Sequence, residues 1–166
     1  MPIARTRPAQ PADAATILEL VVSMTREVVG HSIPPEMERT LRAEVSAAVR
    51  GDPGDHLIVA ERDGRPVGCG RVRLLDYHPM LRFGATASHA YIELMYVAPD
   101  DRGTGTADAI LAALEAWASA HGVNDVTLHH TPQARRFYER HGYAPLGEMH
   151  KRLVTGRGST SGAPPA

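Results

Sequence analysis

Cysteine is almost absent from this chain. Cys69 stands alone, so no intrachain disulfide can form, and without a Cys-x-x-Cys pair there is neither a dithiol redox motif nor a cysteine zinc cluster. Lysine is as scarce: of the 18 basic side chains Lys151 is the only lysine, a bias of composition rather than of function. No apolar run approaches the ~18 residues that a membrane helix needs. The N-terminal stretch "MPIARTRPAQPADAATIL" lacks the apolar segment of a signal peptide, so a cytoplasmic location with no membrane partner is expected. Charge of one sign is missing too. The formal net charge is -1 and basic residues alternate with acidic ones, which argues against nucleic acid as a partner. No His-Glu-x-x-His spacing occurs, and no metal is expected.

What is present suits one soluble domain. The chain has 166 residues, 43% of them hydrophobic and 22% charged, enough for a sizeable core. That domain is expected over residues 1–154, and the Gly/Ser/Pro-rich segment 155–166 reads as a flexible tail. "IARTR" from Ile3 is a short strand. Asp13 is an expected N-cap for a helix with Ile17, Leu20, Val21 and Met24 at helical spacing. "PEMERTLRAEVSAAVR" follows as a second amphipathic helix. The pattern then changes to period two: "LIVAE", a tight turn at Asp63-Gly64, and "PVGCGRVRLLDY" make a hairpin. After a Gly/Ser loop, residues 90–97 form a strong strand, and a helix from about Gly105 to His121 carries a stripe of Ile110, Leu111, Leu114, Trp117 and Ala118. A strand at 125–130, a short helix opened by Pro132, and closing strands to 154 complete the order. Two consecutive helices followed by hairpin-linked strands exclude a simple doubly wound sheet. The expected class is α+β with a mixed sheet.

"DDRGTGTADAIL", residues 100–111, is the segment richest in chemistry. The first turn of a helix has N–H groups without helical acceptors, and the macrodipole adds attraction for an anion. Gly103 and Gly105 allow close approach, Thr104 and Thr106 carry hydroxyls, and Arg102 carries a charge that can fork phosphate oxygens. A Walker loop is excluded because no lysine follows the glycines. A dinucleotide fingerprint is excluded because Asp108 stands where its third glycine belongs. Asp100, Asp101 and Asp108 repel an anion, so a plain loop entering a helix stays open on these residues alone.

Two motifs together carry a resemblance. "YVAPDDRGTGTADAILAALEAWA" resembles the Arg/Gln-x-x-Gly-x-Gly/Ala motif of the GNAT superfamily of N-acetyltransferases, with Arg102, Gly105 and Ala107 at the matching positions. "ARRFYERHGYAPLG", residues 134–147, is similar to that family's second motif, Ala-x-x-Phe-Tyr-Glu-x-x-Gly-Phe. The similarity is specific over about residues 90–147. It implies a three-layer α/β/α sandwich with a mixed, mostly antiparallel sheet, helices on both faces, and a parallel strand pair that splays to admit a cofactor. It implies acetyl-CoA as the acyl donor, its pyrophosphate on the amides of Arg102, Gly103, Thr104, Gly105, Thr106 and Ala107. The backbone of Met95 and Val97 would meet the pantetheine arm, with Thr131, Ala134 and Phe137 also on the cofactor. Thr131 is a departure, since the family often has asparagine there.

The implied reaction is direct attack of a primary amine on the thioester. The resemblance makes Tyr138 the acid that protonates the leaving sulfur, its phenol having an ordinary pKa of ~10. An acid in the 90–97 strand serves several relatives as general base, which points to Glu93. By strict alternation Glu93 would share a face with Tyr91, Met95 and Val97. His89, His129 and His130 are rivals for the base; on a strand the last two would point to opposite faces. The acceptor is a small-molecule or peptide amine, walled by "TREVVGHSIPPEME" and by the loop holding His78, Met80, Leu81, Arg82 and Phe83. Dimers are frequent among such proteins. The alternative is a non-catalytic acyl-CoA-binding module.

Overall fold

The computed structural model describes residues 4–30, 32–76 and 88–146, and the chain divides after Thr131 into two compact units. The first unit begins with strand β1, Arg5–Pro8, and helices α1, Ala14–Val29, and α2, Pro35–Ala48. Strands β2, Asp55–Arg62, β3, Arg65–Asp76, and β4, Ser88–Val97, follow, then helix α3, Thr106–Ala120, and strand β5, Val126–Leu128. The sheet order is β1-β2-β3-β4-β5; the first four strands are antiparallel and β5 lies parallel to β4. This is the mixed, mostly antiparallel sheet expected, and helices cover both of its faces.

One face packs α1 and α2 on the strands through Ile17, Leu20, Val21, Val45 and Ala48 against Leu57, Val59, Cys69 and Tyr96. Burial pushes the Cys69 thiol up to about 12, so it is an inert packing group. The opposite face receives α3, whose Ile110, Leu111, Leu114 and Ala118 are fully buried. Trp117, expected in that stripe, lies at its edge and stacks in parallel on His56 at 5.2 Å between ring centres. The close fit of α3 depends on missing side chains in β3. A Cβ on Gly70 would stand 2.6 Å from Ile110 Cγ2 and 3.0 Å from Leu114 Cδ1. Gly70→Ala is therefore expected to destabilise the fold by about 1–3 kcal/mol through overpacking. The check is a thermal melt, where each kcal/mol amounts to roughly 2–4 °C at this size.

The hairpin turn is as expected: Asp63 and Gly64 both adopt positive φ, 52° and 73°, the signature of a type I′ turn. Asp13 stands at the N-cap position of α1 as expected, but its side chain bonds no N–H of that helix. Pro11 starts a single 3-10 turn, Pro11–Asp13, ahead of α1, so Asp13 is already inside a turn. Its carboxylate reaches back to accept from the Gln10 N–H at 2.7 Å, rather than capping α1. It also takes two bonds from Arg7, which hold its carboxyl below the usual range.

The second unit opens with a 3-10 turn, Pro132–Ala134, that runs into helix α4, Arg135–Arg140. The N–H groups of His141 and Tyr143 both donate to the Tyr138 carbonyl, at 2.9 and 3.1 Å, and Gly142 at φ 86° closes the turn. Phe137 and Tyr143 meet the Tyr138 ring edge-on. Residues 143–146 are not strand; the remaining closing residues to 154, the tail 155–166, Ile3, and the loop with His78, Met80, Leu81, Arg82 and Phe83 lie outside the described residues.

Candidate active site

Two irregularities coincide in β4. Its ladder with β3 pairs Arg71 with Leu94 and Val72 with Ile92, so Glu93 is the extra residue of a β-bulge. Its pairing with β5 covers only Ala90 to Ile92. From Glu93 to Val97 the outer edge of β4 therefore has no β5 partner, which is the splay expected of this strand pair. The bulge also shifts the phase of the strand. Tyr91 lies opposite Arg73, and Leu94 and Tyr96 lie opposite Arg71 and Cys69, on the α1/α2 face. Met95 and Val97 lie opposite Gly70 and Gly68, on the α3 face. Strict alternation had grouped Glu93 with Met95 and Val97. The extra residue instead puts Glu93 on the α1/α2 face, 3.1 Å from Arg71 and 3.8 Å from Arg73.

Beyond Val97, a 3-10 turn, Pro99–Asp101, leads to Gly103 and Gly105 at φ 69° and 79°. These are left-handed conformations that glycine adopts without strain. The first α-helical bond of α3 runs from the Ala109 N–H to the Gly105 carbonyl, at 3.0 Å. The amides of Gly105, Thr106 and Ala107 thus precede the helical ladder and keep their donors for another acceptor. A cradle of peptide donors at the start of α3 results.

The side chains of the loop are turned another way. Arg62, at the end of β2, is 6% exposed and ion-pairs with Asp101, 4% exposed. It also donates to the hydroxyls of Thr104 at 2.6 Å and Thr106 at 2.9 Å. Thr104 donates to the Asp101 carbonyl, so the 2.9 Å bond between the two hydroxyls runs from Thr106 to Thr104. Both threonines are occupied in fixing the loop, and donors for an anion come from the backbone. Asp101, read from sequence as a repelling charge, is neutralised by Arg62. Arg62 escaped the sequence reading because its partner is 39 residues away and reached only through the fold.

Arg102 is likewise engaged. Its Nε donates to the Val97 carbonyl at 3.0 Å, and its guanidinium takes both oxygens of Glu27 at 3.0 and 2.8 Å. Tyr96 donates its hydroxyl to the same Glu27 carboxylate at 2.5 Å. The Tyr96 bond and then Arg102 hold the Glu27 carboxyl below its usual range. Burial first, and then Glu27, push the Tyr96 phenol up to about 12. This triad ties the end of α1 to the phosphate-type loop, and nothing in the local sequence marks it.

The rival bases are scattered. β5 ends at Leu128, so His129 and His130 lie past the strand. His129 Nδ1 meets the Tyr91 hydroxyl at 2.7 Å, while His130 Nδ1 turns to the Thr131 carbonyl. Burial lowers the pKa of His89 at the start of β4. Tyr138, Ala134 and Phe137 belong to the second unit; Tyr138 is buried, and that burial raises its phenol pKa. Among the described residues no group of three or more His, Cys, Asp or Glu is placed to hold a metal, and no helix is long and apolar enough to cross a membrane.

Comparison with known proteins agrees with this geometry. Residues 53–145 match the family model of the acetyltransferase (GNAT) domain. The chain is 29% identical over 111 residues to the uncharacterized N-acetyltransferase YjcF of Bacillus subtilis, covering 67% of this chain and 71% of that one. It is 29% identical over 142 residues to an aminoglycoside N(6')-acetyltransferase type 1 of Stenotrophomonas maltophilia, covering 80% and 85%. A predicted acetyltransferase of Clostridium acetobutylicum, solved with acetyl-CoA, shares the fold at a TM-score of 0.77 and 18% identity, over 91% of this chain and 96% of that one. The chain belongs to the GNAT family of acetyltransferases.

Proposed function

We propose that the protein transfers the acetyl group of acetyl-CoA to a primary amine. The observation that carries this reading is the pair of left-handed glycines, Gly103 and Gly105, before the open amides of α3, at the end of a β4 whose pairing with β5 stops at Ile92. The donor set fits a diphosphate: neutral peptide donors at a helix start, with the nearest buried carboxylate, Asp101, already paired. The thioester supplies the activated acetyl group. The residues of this chain hold its diphosphate at 103–107, line the pantetheine arm with the backbone of Met95 and Val97, remove the proton of the amine, and return one at the sulfur. Glu93, on the bulge and 39% exposed, takes the amine proton directly or through water in this reading. Tyr138 is the acid, on the strength of its motif and of a burial that keeps the phenol protonated. The family and the aminoglycoside-acetylating relative support an amine as acceptor.

One observation favours a second reading, the non-catalytic acyl-CoA-binding module: the Glu93 carboxylate is already engaged by two guanidiniums. Thiol release from acetyl-CoA with an amine panel separates the two. The cofactor site itself is tested by thermal shift, where acetyl-CoA at ~100 Kd raises stability by ~2.7 kcal/mol. Gly105→Val places a branched side chain at positive φ and crowds the amides, costing roughly 1–2 kcal/mol of backbone strain. Affinity for acetyl-CoA is expected to fall at least about tenfold, that is ~1.4 kcal/mol. Gly103→Ala, also at positive φ and with a Cβ that would meet no protein atom within 4 Å, gives the effect of a single added methyl group. Unchanged affinity in Gly105→Val rules the cradle out.

A further inference from the structure

A cavity of about 220 Å³ lies between α1, α2 and the sheet, with Val21, Met24, Leu41, Val45, Ala48 and Leu94 on its walls. Its polar lining is Glu44, Arg71 and Glu93. Glu93 is also the bulge residue just past the end of the β4–β5 pairing. The cavity therefore ends where the acetyl group is expected, on the opposite face of β4 from Met95 and Val97. Two guanidiniums stand at this end, Arg71 and Arg73, and three carboxylates face them: Asp55, Glu44 and Glu93. Asp55 is committed to Arg71, accepting from its Nε at 2.9 Å. Among the described residues one negative charge is left in surplus, at the mouth of an otherwise apolar chamber.

From this arrangement, and resting on the acetyltransferase reading above, we infer that the acceptor is a primary monoamine carried on an apolar body, aliphatic or aromatic. One ammonium matches one surplus carboxylate. A volume of 220 Å³ suits a small amine and is far too little for an aminoglycoside. A polyamine would bury its second ammonium among Val45, Ala48 and Leu94, where an unpaired charge is heavily disfavoured. An aminoglycoside would leave most of its hydroxyls against apolar walls for the same reason. In the reaction an N–C bond forms and the thioester C–S bond breaks. The sulfur leaves with the electron pair, one proton of the ammonium ends on that sulfur and another goes to solvent. The products are the N-acetyl amide and the free thiol.

The test uses the full chain, acetyl-CoA, and a panel of 2-phenylethylamine, hexylamine, spermidine and kanamycin, with thiol release as readout. Expected is a kcat/KM for the two apolar monoamines at least about tenfold above that for spermidine or kanamycin, within the range an apolar pocket achieves. Ala48→Leu fills the chamber and is expected to raise KM for 2-phenylethylamine about tenfold or more, while the acetyl-CoA thermal shift persists. Leu41→Ala, at the half-buried lip, enlarges the chamber and is expected to shift preference toward bulkier apolar amines. Spermidine or kanamycin as the best acceptor overturns the inference and leaves the acetyltransferase reading standing. So does unchanged amine selectivity in both variants when each still shifts with acetyl-CoA. Absence of any acetyl-CoA shift in the wild-type chain overturns both.

Discussion

Arg62→Met is expected to lower the stability of the protein by about 3–5 kcal/mol, the cost of leaving a buried carboxylate without its partner. Asp101 is 4% exposed, and the remaining cation near it is the exposed Arg65, at 3.5 Å. The Thr104 and Thr106 hydroxyls lose their common donor in the same step. At roughly 2–4 °C per kcal/mol, the melting temperature drops by about 10 °C. The double variant Arg62→Met/Asp101→Leu separates charge from packing. Removing both members of a buried pair is often close to neutral, so it is expected to recover most of the loss. The double variant would still bind acetyl-CoA more weakly than the wild type, because the loop that presents the amides has lost its anchor. A single variant that melts within about 1 °C of the wild type contradicts the ion pair as the support of the loop.

Tyr138→Phe is expected to leave the fold intact and to reduce kcat by about a hundredfold, the lower end of what a positioned general acid contributes. The aromatic contacts with Phe137 and Tyr143 do not require the hydroxyl. Because burial raises the phenol pKa, the acid stays protonated beyond its ordinary value of ~10. The wild-type rate therefore loses nothing to phenol ionisation at neutral or mildly alkaline pH, and the deficit of the variant is the same throughout that window. Thermal shift with acetyl-CoA provides the control for cofactor binding. Equal kcat for both proteins at every pH removes Tyr138 from the chemistry.

The elements were legible along the chain because local chemistry dictates them. The period-two run before Asp63-Gly64, the left-handed turn itself, and the apolar spacing of α1 and α3 each depend on neighbours a few residues away. The glycines of the 103–105 loop were legible for the same reason, since only a residue without Cβ takes these φ values freely. Glu93 was legible as a carboxylate in the right strand but not in its orientation. A bulge is a property of the β3–β4 ladder and cannot be counted from one strand alone, so alternation assigned it the wrong neighbours. Helix α2 shows the same limit, since an amphipathic pattern does not say which apolar residue reaches the sheet: Met37 is 42% exposed, while Ala48 is buried against the sheet.

By itself the sequence determined the order and type of the described elements as far as α4, the two loop glycines, and through two motifs the family. The tertiary structure alone decided which charges were spent. Arg62 with Asp101, Arg102 with Glu27, and Arg71 with Asp55 and Glu93 are pairings between residues far apart in the chain, and burial makes the first of them obligatory. Electrostatics at a site is a sum over neighbours in space. Only when β2 and the loop are brought together does the apparently repelling Asp101 become the paired support of a cradle of amides.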